Sequence, residues 1–339
     1  MMKLSVRRAI LIYTLIPISL IFLIFAVENI YQTHLDARKR IESHMRDLAY
    51  SYANIFNGIL YPISSIAKST ANILQIDDRL REPEIYKLLR RHVEDNPIIY
   101  GAWVAYAPYQ FDKNRQFVGP YIFRDPQRGI VEKDFATYDY TSGEYDFWSK
   151  PVAEGKGVWT EPYFAKVGNI MMSSFAVPFY RDGQLLGVAG IDIPLHKVNE
   201  NIDIPGVKKH QLMVLSSRGN IVLFPQDKYI GNSIFKVIEN GYELAMDRPI
   251  SEQELSKDHK KVYYDLVESM LSGEVGNADL TQVSEQSDFW YFYAPIKTPG
   301  WSFAIRVNES EIFSRLYNRL WYSLFFFSLL LILIIHHKV

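Results

Sequence analysis

Residues 159–195 read WTEPYFAKVGNIMMSSFAVPFYRDGQLLGVAGIDIPL. Within them Asp182-Gly183 sits between two apolar runs, the strongest short-range signal for a two-residue hairpin. The arm that follows, LLGVAGIDI, is an apolar run of strand length and predicts a buried strand. Upstream, IIYGAWVAYAP (98–108) alternates and is rich in aromatic and β-branched residues, as strands prefer. Ile98 to Leu195 therefore reads as antiparallel strands and turns.

Before this sheet, Pro83 to Glu94 predicts a short helix, with proline suited to the first turn. Residues 29–75 predict one long helix with a stripe at Ile41, Met45, Leu48, Tyr52, Ile55 and Ile59, and Pro62 should bend it. The stripe fits packing on the chain's own domain and pairing with a second copy alike. After a turn at Pro205-Gly206 a second unit begins. QLMVLSSRGNIVLFP (211–225) reads strand, Arg218-Gly219 turn, strand. Ser251 with Glu254 forms a capping box for a helix to about Leu271, and Gly273 is placed to end it. DFWYFYAPI and WSFAIRV, joined at Thr298-Pro299-Gly300, are the last strands. The fold class is α+β: a long N-terminal helix and two antiparallel-sheet modules.

Two apolar runs bracket these units. Ala9–Val27 is uncharged for 19 residues, roughly 28 Å of helix, and follows Lys3, Arg7 and Arg8. Leu320–Ile335 is the second, with Tyr317, Trp321 and Tyr322 as an interfacial belt and His336, His337 and Lys338 closing it. The basic N-terminal flank keeps that end in the cytoplasm, so 28–319 is expected outside, as in a two-pass protein of a bacterial inner membrane. The expected organisation is cytoplasmic 1–8, membrane helix 9–27, stalk 28–84, distal module 85–200, proximal module 201–310, membrane helix 320–335 and cytoplasmic tail 336–339. Balanced charge, 37 basic against 38 acidic residues, gives no reason to expect a nucleic-acid partner, and the absence of Cys removes thiol chemistry.

Residues 159–195, with YDYTSGEYDFWSKPVAEGKGVW (138–159) before them, resemble the distal module of a double Cache domain. This PAS-like sensor serves bacterial chemoreceptors, sensor kinases and phosphatases. LMVLSSRGNIVLFPQDKYIGNSIF resembles its proximal module and FYAPIKTPGWSFAIRV the closing hairpin, so the likeness covers about 290 residues. It implies a membrane-anchored sensor that takes a small molecule in the distal module and signals through its membrane helices. Only four residues follow the second run, too few for an output domain. A separate signalling partner, a non-signalling scaffold and a truncated receptor all remain readings of that ending.

In the amino-acid-binding branch of the family the distal site runs Tyr, Arg, aromatic, Tyr-x-Asp, then a late Asp. Tyr140, Tyr163 and Asp192 match, and Phe147 supplies the aromatic. Tyr145 stands where the Arg would be, and Ala165 where the Tyr-x-Asp carboxylate would be. Tyrosine offers one neutral donor in place of a bidentate fork, so the α-amino-acid carboxylate loses its clamp. Asp192 within Tyr140, Phe147, Trp148 and Tyr163 then favours an amine-bearing or uncharged metabolite. Trp103, Tyr106 and Tyr121 are placed to line the same space or its rim. No metal-ligand spacing, phosphate loop or nucleophile elbow occurs, and the expected protein is neither an enzyme nor a cofactor carrier.

Overall fold

Ile16–Ile76 is a single helix, α1, that runs through Pro62. The structure is a computed structural model and describes residues 16–165, 169–200, 211–244, 248–249, 256–280 and 289–309, with 313, 314, 321, 322, 325 and 329. The buried face of α1 follows Ala49, Tyr52, Ala53, Phe56, Leu60, Ile63, Ala67, Ala71 and Leu74. It shares Tyr52 with the stripe expected from sequence and then departs from it, leaving Ile55 47% exposed. A strict seven-residue repeat drifts around a straight helix by about 20° per heptad, and the true seam interleaves four alanines with its larger apolar side chains. Tyr52 and Phe56 meet the ring of Phe303, with centroids 6.3 and 5.2 Å apart, so at this height the helix packs on its own domain.

At the other end of α1, the eight large apolar side chains Ile18, Leu20–Phe25 and Val27 are 50–66% exposed. Among the described residues no helix is long and apolar enough to cross a membrane. Residues 9–15 of the first apolar run and most of 320–335 lie outside the described residues, as does the Pro205-Gly206 turn.

Leu48–Val307 forms one compact unit that holds both sheets. Helix α2 (Glu82–Asp95) starts one residue before the expected Pro83, which lies in its first turn, and buries Ile85, Leu89 and Val93, one per turn. The first sheet comprises β1 (Gly101–Tyr106), β2 (Pro120–Asp125), β3 (Gly129–Asp134), β4 (Val158–Trp159), β5 (Tyr163–Ala165), β6 (Ile170–Arg181) and β7 (Gln184–Pro194). Its order is β3-β2-β1-β7-β6-β4, with β5 also on β6, and every pair is antiparallel. Asp182 and Gly183 hold φ of 50° and 78°, the two positive values that let the β6–β7 turn match strand twist. Helix α3 (Asp146–Glu154) lies between β3 and β4 in the chain and ends at Gly155, whose φ is 62°.

The second sheet runs β10-β11-β12-β8-β9, from β8 (Leu212–Leu215), β9 (Ile221–Leu223), β10 (Gly276–Asp279), β11 (Phe289–Ile296) and β12 (Trp301–Asn308). Its apolar face is closed by two helices, Ile234–Glu239 and Lys257–Leu271. The longer helix is capped by Ser256, whose hydroxyl accepts from the His259 N–H. The start is thus Lys257, later than the Ser251/Glu254 pair, which lies outside the described residues.

Candidate ligand-binding site

Residues directly opposite in antiparallel strands share a face of the sheet. The register lays two rows across the first sheet: Val131, Phe123, Gly101, Asp192, Ser174, and beside it Lys133, Tyr121, Trp103, Gly190, Ala176. The two glycines are what make the site. A Cβ on Gly190 would collide with the Trp103 indole, and one on Gly101 with the Tyr121 ring. Both rings therefore lie over bare backbone and reach Asp192. Trp103 Nε1–H donates to Asp192 Oδ1 at 2.7 Å and Tyr121 O–H to Oδ2 at 2.9 Å. Ser174 O–H donates to Oδ1 at 2.6 Å, and its oxygen lies 2.8 Å from the Tyr163 hydroxyl.

Asp192 is 3% exposed, and among the described residues no cationic side chain bonds it. Burial pushes its carboxyl above the usual carboxylate range, against the three hydrogen bonds that favour the charged form. Burial and the nearby Asp192 charge hold the Tyr121 and Tyr163 phenols neutral, well above their ordinary value.

Above this row opens a cavity of about 720 Å³, within the range of small-molecule sites. Its walls include Trp103, Tyr121, Phe135, Tyr138, Tyr145, Phe147, Tyr163 and Phe164. The rings brace one another: Trp103 meets Phe147 edge-on at 5.0 Å, and Tyr138 lies 4.9 Å from Tyr145. The charged lining residues are Lys133, Glu144, Asp146, Glu161 and Asp192; none is arginine.

Six residues singled out from sequence line this space: Trp103, Tyr121, Tyr145, Phe147, Tyr163 and Asp192. Tyr140 and Trp148 do not. Tyr140 is fully buried, donates to the Tyr106 carbonyl at 2.6 Å and packs 5.4 Å from Trp148, behind the lining ring Phe135. Their hydroxyl and ring faces are spent inside the core, so neither is open to a ligand. Tyr106 likewise packs on Phe111 and Phe179. Sequence reasoning missed Lys133, Phe135, Tyr138 and Glu161. The aromatic run after β3 and the β2–β3 register were the available signals for the first three.

Glu161 has a second attachment. Its carboxylate accepts from Ser216 Oγ, from Ser217 Oγ at 3.2 Å and from Asn220 Nδ2 at 2.9 Å, and Arg218 Nε stands 3.6 Å away. These groups form the turn between β8 and β9, opened by Gly219 at φ 77°. Arg218 also reaches Asp146, the first residue of α3, at 4.0 Å. A wall of the cavity is thereby fastened to the second module. Among the described residues, no cluster of His, Asp and Glu is arranged to hold a metal ion.

Residues 85–200 match the family model described as methyl-accepting chemotaxis protein-like, first PDC sensor domain. The extracellular domain of the histidine kinase soHK1S-Z6 superposes with a TM-score of 0.63 at 21% identity, covering 84% of this chain and 99% of that one. The chain has the double Cache fold. The ligand-binding domain of the Pseudomonas aeruginosa amino-acid chemoreceptor PctB, in complex with L-Arg, matches this Cache fold with a TM-score of 0.52 at 14% identity, over 80% of this chain and 97% of that one. The methyl-accepting chemotaxis protein TlpQ of the same organism is 28% identical over 171 residues. That match covers 43% of this chain and about a fifth, 22%, of the length of TlpQ.

Proposed function

We propose that this chain is a membrane-anchored extracytoplasmic sensor whose distal module binds a small molecule bearing an amine or several hydrogen-bond donors, and that it is not an enzyme. The observation that carries the ligand class is Asp192: a buried carboxylate held by three neutral donors, beside an aromatic cavity, with no protein cation bonded to it among the described residues. A carboxylate has about four lone-pair sites, so one remains for a ligand N–H. The surrounding rings add cation–π attraction. Tyr145 and Ala165, both at the cavity, replace the guanidinium and the second carboxylate of the amino-acid-binding pattern, which argues against free α-amino acids.

Anchoring is supported by the two apolar runs and by the exposed apolar girdle of α1 from Ile18 to Val27. The Glu161 attachment offers a route by which occupancy alters the proximal module and, through it, the membrane helices or a separate signalling partner. The full chain in detergent, titrated calorimetrically with amines, α-amino acids, dicarboxylates and uncharged nucleosides, tests the ligand class. Amines should bind, and Asp192→Asn should weaken them about 10- to 150-fold, the worth of a charge-assisted bond. A dicarboxylate as the tightest ligand, with affinity unchanged or raised in Asp192→Asn, overturns the reading.

A further inference from the structure

Strand β3 carries three charged residues in succession, Glu132, Lys133 and Asp134. Glu132 bonds Arg90 at 2.7 Å and Asp134 bonds Arg115 at 2.9 Å. The Lys133 side chain, turned to the other face by strand alternation, makes no ion pair or hydrogen bond among the described residues. It stands directly opposite Tyr121, the tyrosine that holds Asp192, and it is the one cation among the cavity's described lining residues. Of the other lining acids, Asp146 is bonded by Lys150 at 2.6 Å and Glu161 by the β8–β9 turn, and Glu144 makes no ion pair with Lys133 among the described residues. The cavity thus has a buried acid at one end and an unspent cation at the other. Three strand spacings separate β3 from β7, roughly 14 Å between backbones, and both residues line the cavity that lies over that width.

We propose that Lys133 is the second anchor of the site, taking the carboxylate of a ligand whose amine is held at Asp192. The ligand class is an ω-amino carboxylate with several methylenes between its charges. An α-amino acid carries both charges on one carbon and cannot reach both anchors, whereas the aromatic walls between them suit a methylene chain. A lysine is a point charge on a flexible stem, so it needs no bidentate geometry and can replace the missing arginine. This inference rests on the amine reading above and adds to it.

The test uses the full chain in detergent and two probes, 5-aminopentanoate and pentylamine, with calorimetry on wild type, Lys133→Met, Lys133→Glu and Asp192→Asn. Lys133→Met should weaken 5-aminopentanoate about 10- to 100-fold and leave pentylamine unchanged, while Asp192→Asn weakens both. Lys133→Glu should make 1,5-diaminopentane bind more tightly than it does to wild type. β3 is an edge strand, where a lysine also discourages edge-to-edge pairing. That role alone predicts no change with either probe, and such a result, or equal weakening of both, overturns the proposal. If pentylamine binds and depends on Asp192 while Lys133 is silent, only this inference falls. If neither probe binds wild type, the amine reading falls and takes the second anchor with it.

Discussion

The two modules use one structural device to opposite ends. In the distal sheet Gly190 lies under the Trp103 indole; in the proximal sheet Gly276, paired with Tyr293, lies under the Tyr293 ring. The distal ring carries its N–H to a buried carboxylate at the edge of a cavity. The proximal ring packs into a cluster closed by Ile234, Val237, Tyr263, Leu266, Val267 and Met270 from two helices. A sheet face covered by amphipathic helices is filled to core density. The distal face is covered by a loop and the short helix α3, whose rings meet at the rim and leave volume beneath. The difference between the open and the filled sheet face lies in what covers the sheet, more than in the sheet.

The largest effect expected from this contrast is at Asp192. Asp192→Ala strips the acceptor from Trp103, Ser174 and Tyr121 at once, and buried donors left unpaired cost about 1–3 kcal/mol each before relaxation. A loss of ~2–5 kcal/mol in denaturant unfolding is expected. The proximal counterpart is Ser302, whose buried hydroxyl has no hydrogen-bond partner among the described residues, and Ser302→Ala should cost almost nothing. Asp192 also sets a pH signature. Its folded-state pKa is raised, so the unfolded chain releases this proton first as pH rises. Stability from this group is complete below the unfolded value near 3.8 and declines as pH climbs through the raised one. Asp192→Asn should remove that slope. Amine affinity should follow the opposite course, falling on acidification as the carboxylate is neutralised.

Next in size is a matched pair of glycine substitutions. Gly190→Ala and Gly276→Ala each drive a methyl group into an aromatic ring, and overpacking of this kind costs ~1–3 kcal/mol. Thermal unfolding should register both. Only Gly190→Ala should also weaken ligand, because it lifts the Trp103 N–H from Asp192. Equal loss of ligand affinity in both variants would break the contrast between the modules.

Local chemistry made much of this legible beforehand. Asp182-Gly183, Arg218-Gly219 and Thr298-Pro299-Gly300 all mark turns whose glycines hold positive φ. Asp192 was visible as a lone carboxylate in an apolar strand. What escaped depended on long-range placement. Tyr140 and Trp148 carry the right chemistry, yet a loop sequence does not say which of its rings face inward. Lys133 became a site residue only through the β2–β3 register. Glu161 carries no local sequence signal of a site residue, yet its side chain is only 12% exposed because a turn 55 residues later binds it. The α1 seam was misplaced because alanines were given no weight against large aliphatics.

The smallest effect sharpens the comparison most. Tyr121 and Tyr263 are both buried tyrosines against a sheet, one in each module. Tyr121 donates to Asp192 Oδ2, whereas the Tyr263 hydroxyl has no hydrogen-bond partner among the described residues. Tyr121→Phe should therefore cost about 1–3 kcal/mol, the cost of a charged acceptor losing a donor in a dry site. Tyr263→Phe removes a desolvated hydroxyl that gains nothing in return, so stability should stay level or rise by up to ~1 kcal/mol. Denaturant midpoints for the two variants, at equal slope, give the difference directly. A cost at Tyr263 as large as that at Tyr121 would mean that the proximal core also holds a polar network, and that the division of polar chemistry between the modules is less complete than the hydrogen bonds indicate.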